Sequence, residues 1–265
     1  ALDLGAIDFI EKPVNIVYLK SSGFKDKFLD TLQAVVTSRQ TNISAFPILT
    51  REKQDENTQK LVNIVRKSKP VVSGQKIVAL ACSTGGPKAL QSVVPRLPAE
   101  LAAPVLIVQH MPQGFTQSLA ERLDSMSRIK VKEAAEGDVL ENGVVYISMG
   151  GKHMNVATRG GRATITYTDE PPREGVKPCA NYMYESLKTS SYAQIVCVVL
   201  TGMGADGTKG IVNLETSKKI HVIAQDEASS TVYGMPKAIA ATGLVNQVVS
   251  LDNVAQEIIM NVGVR

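Results

Sequence analysis

From Ile77 onward, short unbroken apolar runs alternate with stretches that place apolar residues every three or four positions. The runs are IVALA, PVLIVQH, VVYIS, QIVCVVLTG and HVIAQ. The helix-like stretches are KALQSVVPRL, FTQSLAERLDSM, NYMYESLKTSS, TKGIVNLETSKK and MPKAIAATG. A strand that reads as a continuous apolar run is buried on both faces, the mark of parallel strands covered by helices. The alternation therefore predicts an α/β fold over about 77–265, a doubly wound, mostly parallel sheet with helices on both faces. Between 138 and 169 the pattern changes. ATITYT alternates, and Asn142-Gly143 and Gly160-Gly161 are turn signals, so a small antiparallel hairpin excursion at a sheet edge is expected.

The first 76 residues show no such alternation. Phe24, Phe28, Leu32 and Val35 recur at helical spacing over 24–36, and residues 40–58 are polar and read as a linker. A second short helix is expected over 58–68, with Leu61, Ile64 and Val65 on one face. Two helices and a strand fragment bury too little to stand alone, so this part either docks on the main domain or belongs to something larger.

Composition narrows the classes. Of 265 residues 44% are apolar, and no run approaches the roughly 20 apolar residues of a membrane span, so no membrane insertion is expected. The start, ALDLGAIDFIEKPV, is acidic where a signal peptide is basic, which leads to an expected cytoplasmic location. Basic residues are scattered, the net charge is only +4 and there is no tryptophan, which argues against a nucleic-acid surface. Cys82, Cys179 and Cys197 form an odd set without metal-ligand spacing. Neither a disulfide framework nor a metal site nor another cofactor is expected.

In open α/β sheets, ligands bind beyond the carboxyl ends of the strands, so the residues that follow each apolar run are the ones to weigh. Cys82-Ser83-Thr84-Gly85-Gly86 follows KIVALA, His110 follows PVLIVQ, and TGMGADG with Asp206 follows QIVCVVL. A hydroxyl, an imidazole and a carboxylate thus stand at three strand ends. Nucleophilic acyl transfer needs that set: a base to take the serine proton, and a carboxylate to orient the base. Each residue alone has a plainer explanation. Serine is a favoured helix N-cap, a histidine after a strand is commonly structural, and aspartate beside glycine stabilises turns. Gly85-Gly86 lets backbone approach either a phosphate or an oxyanion. The phosphate motifs G-x-x-x-x-G-K-[ST] and G-x-G-x-x-G are absent after the first strand, and so is the G-x-S-x-G elbow. His153, in GGKHMNV, is a candidate to line a pocket, while His221 reads as structural. Cys82 is a weak rival nucleophile because its side chain points opposite to that of Ser83.

The segments CSTGGPKAL, VQHMPQGFTQSLAERL, GGKHM, VLTGMGADGTKGI and AQDEASSTVYGMPKAI together resemble the chemotaxis protein-glutamate methylesterases of the CheB type. That resemblance implies a domain over 76–265 that hydrolyses γ-glutamyl methyl esters on the methylated cytoplasmic helices of chemoreceptors, releasing methanol. It also allows receptor glutamine deamidation. It implies Ser83 as nucleophile, His110 as base and acid, and Asp206 as the group that orients His110. The amides of Met203 and around Thr84, with Gly85 and Gly86, would serve the oxyanion, and the Thr84 hydroxyl would lie at the site. LDLGAIDFIEKPV with the helix at 24–36 resembles the end of a receiver domain, which makes 1–36 its expected remnant and 37–75 a linker. The phospho-acceptor aspartate is not in this chain, so an upstream histidine kinase is an expected partner only through a complete receiver. The chain departs from the family pattern at 177–181, usually Arg-Pro-Ser-Val-Asp. Here Lys177, Cys179, Ala180 and Asn181 replace four of those residues, so different hydrogen bonding is expected. A phosphate- or nucleotide-binding domain and a non-catalytic receptor-binding module are the alternatives from other classes.

Overall fold

The computed structural model describes residues 22–37, 62 and 74–265. The proposed receiver strand, most of the linker and nearly all of the helix at 58–68 lie outside these. Helix α1 (Ser22–Thr37) forms where helical spacing predicted it, with the Phe24 and Phe28 rings stacked 6.1 Å apart.

The main domain is built on one seven-stranded sheet in which every pairing is parallel. Its strands are β1 (Lys76–Cys82), β2 (Val105–Gln109), β3 (Lys130–Glu133), β4 (Val144–Ile147), β7 (Gln194–Val199), β8 (Lys219–Gln225) and β9 (Gln247–Val249). The spatial order is β3-β4-β2-β1-β7-β8-β9. β1, β2 and β7 are apolar and buried along nearly their whole length because both faces are covered. On one face Val78, Leu80, Ile107 and Val198 pack against helices α2 (Gly86–Val93), α3 (Phe115–Met126) and α7 (Leu251–Val262). On the other, Ala79, Leu106, Cys197 and Val222 pack with α4 (Ala180–Ser186), α5 (Thr208–Glu215) and α6 (Met235–Ala240). This is the doubly wound arrangement expected from the alternation of runs and helices.

The region 138–169 differs from its expectation in two ways. Gly160-Gly161, both at positive φ, does turn a hairpin between β5 (His153–Arg159) and β6 (Arg162–Thr168). That hairpin is a separate two-stranded sheet lying over a face of the main sheet, not at its edge. Met154, Val156, Ala163 and Ile165 cover Leu106, Val108 and Tyr146, because one side of the alternating pattern is apolar. Asn142-Gly143 does not turn a hairpin: it leads into β4, whose buried VVYI pairs in parallel with β2 and β3.

The chain leaves β1 toward β2 on one side and later returns to β7 on the other. The strand order therefore reverses at β1, and a crevice opens beyond the carboxyl ends of β2, β1 and β7.

Candidate active site

Ser83, His110 and Asp206 come from those three neighbouring strand ends. The first link is backbone. Ser83 N donates to Thr201 O at 3.0 Å, and His110 N donates to Cys82 O at 3.2 Å, which ties the β1 turn to the strand ends on either side. Buried Gln109 adds a side-chain clamp: its Nε2 donates to Ser83 O at 3.1 Å and to His110 O at 3.2 Å. Its Oε1 accepts the Cys82 thiol at 3.1 Å, which fixes the orientation of the amide.

Two glycines give the serine its place. Gly85 stands at φ 78° and starts α2, and a Cβ there would run into Thr231. A Cβ on Gly202 would lie 2.8 Å from Ser83 Cβ and overlap Met235 Sδ. Ser83 does not cap α2, since Gly85 holds the N-cap position and no side chain caps that end. The Gly86 amide donates to Ser83 O at 2.7 Å, so a glycine at 86 chiefly makes room for the Gln109 side chain. Among the described residues, the amides of Thr84 and Met203 donate to no acceptor, and Met203 is exposed.

His110 and Asp206 meet directly, Nε2 to Oδ2 at 2.7 Å, with side chains only 10% and 3% exposed. Asp206 accepts six hydrogen bonds. Oδ1 receives Cys179 Sγ, Asn181 N, Asn181 Nδ2 and Gly207 N, while Oδ2 receives Ala180 N besides His110. Burial pushes this carboxyl upward, but the bonds and charge from His110, with those from Cys179 and Ala180, outweigh it and hold Asp206 below its ordinary value. The Ser83 hydroxyl forms no hydrogen bond to the imidazole or to any other described residue. Catalytic contacts of this kind commonly tighten only as the transition state forms.

The departure at 177–181 is resolved by this cradle. Cys179, Ala180 and Asn181 all serve Asp206, and Lys177 Nζ reaches Asp169 at 3.2 Å. Nearby, Arg173 forms a bidentate pair with Glu185 at 2.7 and 2.9 Å. His153 is fully buried, its Nδ1 accepts the Cys179 amide at 3.1 Å, and its ring packs on Tyr182. His221 bonds Gln247 at 2.9 Å and is structural, as expected. Burial raises the thiols of Cys82 and Cys197, which makes them poor nucleophiles. Among the described residues no group of His, Cys, Asp or Glu is arranged to hold a metal. A cavity of about 340 Å³ lies at the amino end of β8, lined by Glu215, Lys218, Lys219 and Leu244, and none of Ser83, His110 and Asp206 lines it.

A family model described as CheB methylesterase matches residues 78–258, which span all three strand ends. The chain belongs to the CheB methylesterase family. Relatives in this family include the "protein-glutamate methylesterase/protein-glutamine glutaminase" of Pyrococcus abyssi, 41% identical over 98% of this chain and 68% of its own length. A protein of the same name from Bacillus subtilis is 39% identical, over 97% of this chain and 71% of its own. The crystal structure of the Thermotoga maritima CheB methylesterase catalytic domain superposes with a TM-score of 0.67 at 37% identity. It covers 71% of this chain and 98% of that one. The CheB methylesterase fold is thus shared across the whole of that catalytic domain. Among the described residues, no helix is long and apolar enough to cross a membrane.

Around Ser83, His110 and Asp206 in this CheB methylesterase stands a supporting layer, Gln109, Cys179 and Asn181, whose contacts are not written in the local sequence. A glutamine closing an otherwise apolar buried run was a readable signal for Gln109. Cys179 and Asn181 stood out along the chain only as departures from the family pattern; that they serve Asp206 follows from the packing of α4 against α5.

Proposed function

We propose that this chain is a protein-glutamate methylesterase that hydrolyses γ-glutamyl methyl esters on cytoplasmic helices of chemoreceptors, with Ser83, His110 and Asp206 as its triad. The observation that carries this reading is the His110–Asp206 contact at the point where strand order reverses, one strand from Ser83. Because Nε2 of His110 is engaged by Asp206, Nδ1 is the nitrogen left to serve Ser83. Ser83 Oγ attacks the ester carbonyl carbon as Nδ1 takes its proton, and the unengaged amides of Thr84 and Met203 receive the oxyanion. The intermediate collapses, and His110 returns the proton to the departing methoxide, which leaves as methanol. A water deprotonated by His110 then attacks the acyl-serine, releasing the glutamate carboxylate and restoring Ser83. Throughout, Asp206 stays ionised and orients the imidazole. A glutamine side chain follows the same course with ammonia as leaving group, which supports a second activity as glutaminase.

The catalytic unit in this reading is 76–265, working in the cytoplasm, with 1–36 as a receiver remnant and 37–75 as linker. A complete receiver would be the link to an upstream histidine kinase. The deciding assay is methanol release from methylated receptor fragments by Ser83→Ala. A loss of at least about a thousandfold with an unchanged circular dichroism spectrum is expected. Near-normal turnover would exclude the triad.

A further inference from the structure

Asp206 is a buried carboxylate with no lysine or arginine beside it. Water reaches almost none of it, and its ion pair is with His110, which is charged only when protonated. Five of its six hydrogen bonds come from neutral donors: the Cys179 thiol, the Asn181 amide side chain, and the backbone amides of Ala180, Asn181 and Gly207. The titratable groups facing it are His110 beyond β2, Cys179 before α4 and Tyr184 on α4. Cys179 is raised to about 12 and Tyr184 well above its ordinary value, so both stay protonated. The nearby charged side chains pair elsewhere, Lys209 with Glu174 and Arg173 with Glu185.

Two of the neutral donors are side chains, the Cys179 thiol and the Asn181 amide, and the amide is the one fixed in orientation by a second partner. The Asn181 side chain is fully buried and its amide has one permitted orientation. Oδ1 accepts Gly210 N, at the start of α5, at 2.6 Å, which turns Nδ2 onto Asp206 Oδ1 at 2.7 Å. Flipping the amide would set oxygen against carboxylate and N–H against N–H. We propose that Asn181 is a positioning residue acting through Asp206, its locked amide holding the carboxylate ionised and aimed at His110 without bringing a titratable proton into the site. This inference rests on the reading of Asp206 as the partner of His110.

The test is Asn181→Asp, which keeps the shape and the contact to Gly210. Two carboxyls this close cannot both ionise readily, so the pair retains one shared proton well above the ordinary carboxylate range. With that proton in place the variant mimics the amide; without it, two charges face each other. The new carboxyl has its folded-state value raised above the unfolded one. Its favourable contribution is therefore complete at low pH and is lost as pH rises through the folded value. Stability is measured at pH 5 and pH 8 in wild type and variant, together with carbon-13 titration of the aspartate carboxyls. The expected result is a folding constant that falls relative to wild type by at least about tenfold between pH 5 and pH 8, the decline having begun above the unfolded-state value of about 3.9, with a carboxyl proton released over that interval. The pH profile of ester hydrolysis should also differ from that of wild type over the interval in which the shared carboxyl proton is released.

A stability loss equal at both pH values, with every carboxyl titrating in the ordinary range, would overturn the proposal. Asn181→Leu gives a second reading: it removes the donor at every pH, and the carbon-13 titration of Asp206 should shift upward in it. An unshifted Asp206 in that variant would overturn the proposal even if Asn181→Asp does not fold. The carboxyl titrations need no turnover. A failure of the triad, seen as activity in Ser83→Ala, is therefore distinct from a failure of Asn181.

Discussion

His110 Nε2 lies 2.7 Å from Asp206 Oδ2, a contact between residues 96 positions apart that joins the end of β2 to the loop after β7 across the end of β1. The imidazole is thereby held by Nε2, which in the proposed mechanism leaves Nδ1 for Ser83.

Asp206→Asn should lower ester hydrolysis by about 10³–10⁴-fold, because an amide presents the wrong partner to Nε2 and releases the imidazole from its tautomer. The variant should also lose stability, by about 1–3 kcal/mol. Its NH₂ would face either the Ala180 amide or the donors at Oδ1. Steady-state kinetics and urea unfolding at neutral pH check both.

The carboxyl of Asp206 is held below its ordinary value, so its favourable contribution to stability is complete above the unfolded-state value, about 3.9, and is lost as pH falls through the folded value. The unfolding midpoints of wild type and Asp206→Asn should therefore converge only in acid. A gap that stays constant from pH 7 down to pH 2 would contradict this sign.

Gly202→Ala puts a methyl within 2.8 Å of Ser83 Cβ and onto Met235 Sδ. Either neighbour must move. A stability loss of about 1–3 kcal/mol is expected from overpacking, together with a fall in turnover of about a hundredfold from a displaced nucleophile. Melting curves and initial rates separate the two.

Gln109→Leu removes the one side chain that donates to both the Ser83 and His110 carbonyls. Those carbonyls and the Cys82 thiol lose a buried partner, at a cost of about 1–3 kcal/mol. Turnover should fall while KM changes little, since the clamp holds the nucleophile and base rather than the substrate. An unchanged kcat would show that the backbone bonds of Ser83 suffice.

Much of this arrangement is visible in local pattern. Helix α3 spans the very stretch FTQSLAERLDSM, and β1, β2 and β7 are the runs whose unbroken apolarity required cover on both faces. Other elements had weaker local signals. β3 is an edge strand of four residues, KVKE, in which lysines flank one buried valine, and β9 has three residues with little burial. Neither is apolar enough to stand out. α7 does carry Val254, Ala255, Ile258, Ile259 and Val262 at helical spacing, so it was readable, although no element was expected there.

The amino-acid sequence by itself determined that strands are buried on both faces and that Ser83, His110 and Asp206 each follow one, because burial and turn chemistry are local properties of a segment. Only the tertiary structure decided that β2, β1 and β7 are neighbours, that the hairpin covers a face, and that the 177–181 loop closes around Asp206. Strand order and loop docking depend on which surfaces remain to be covered once the whole sheet has assembled. Asn181 shows the difference most plainly: along the chain it is only a departure from a pattern, and it faces Asp206 because Gly210 on α5 turns its amide there.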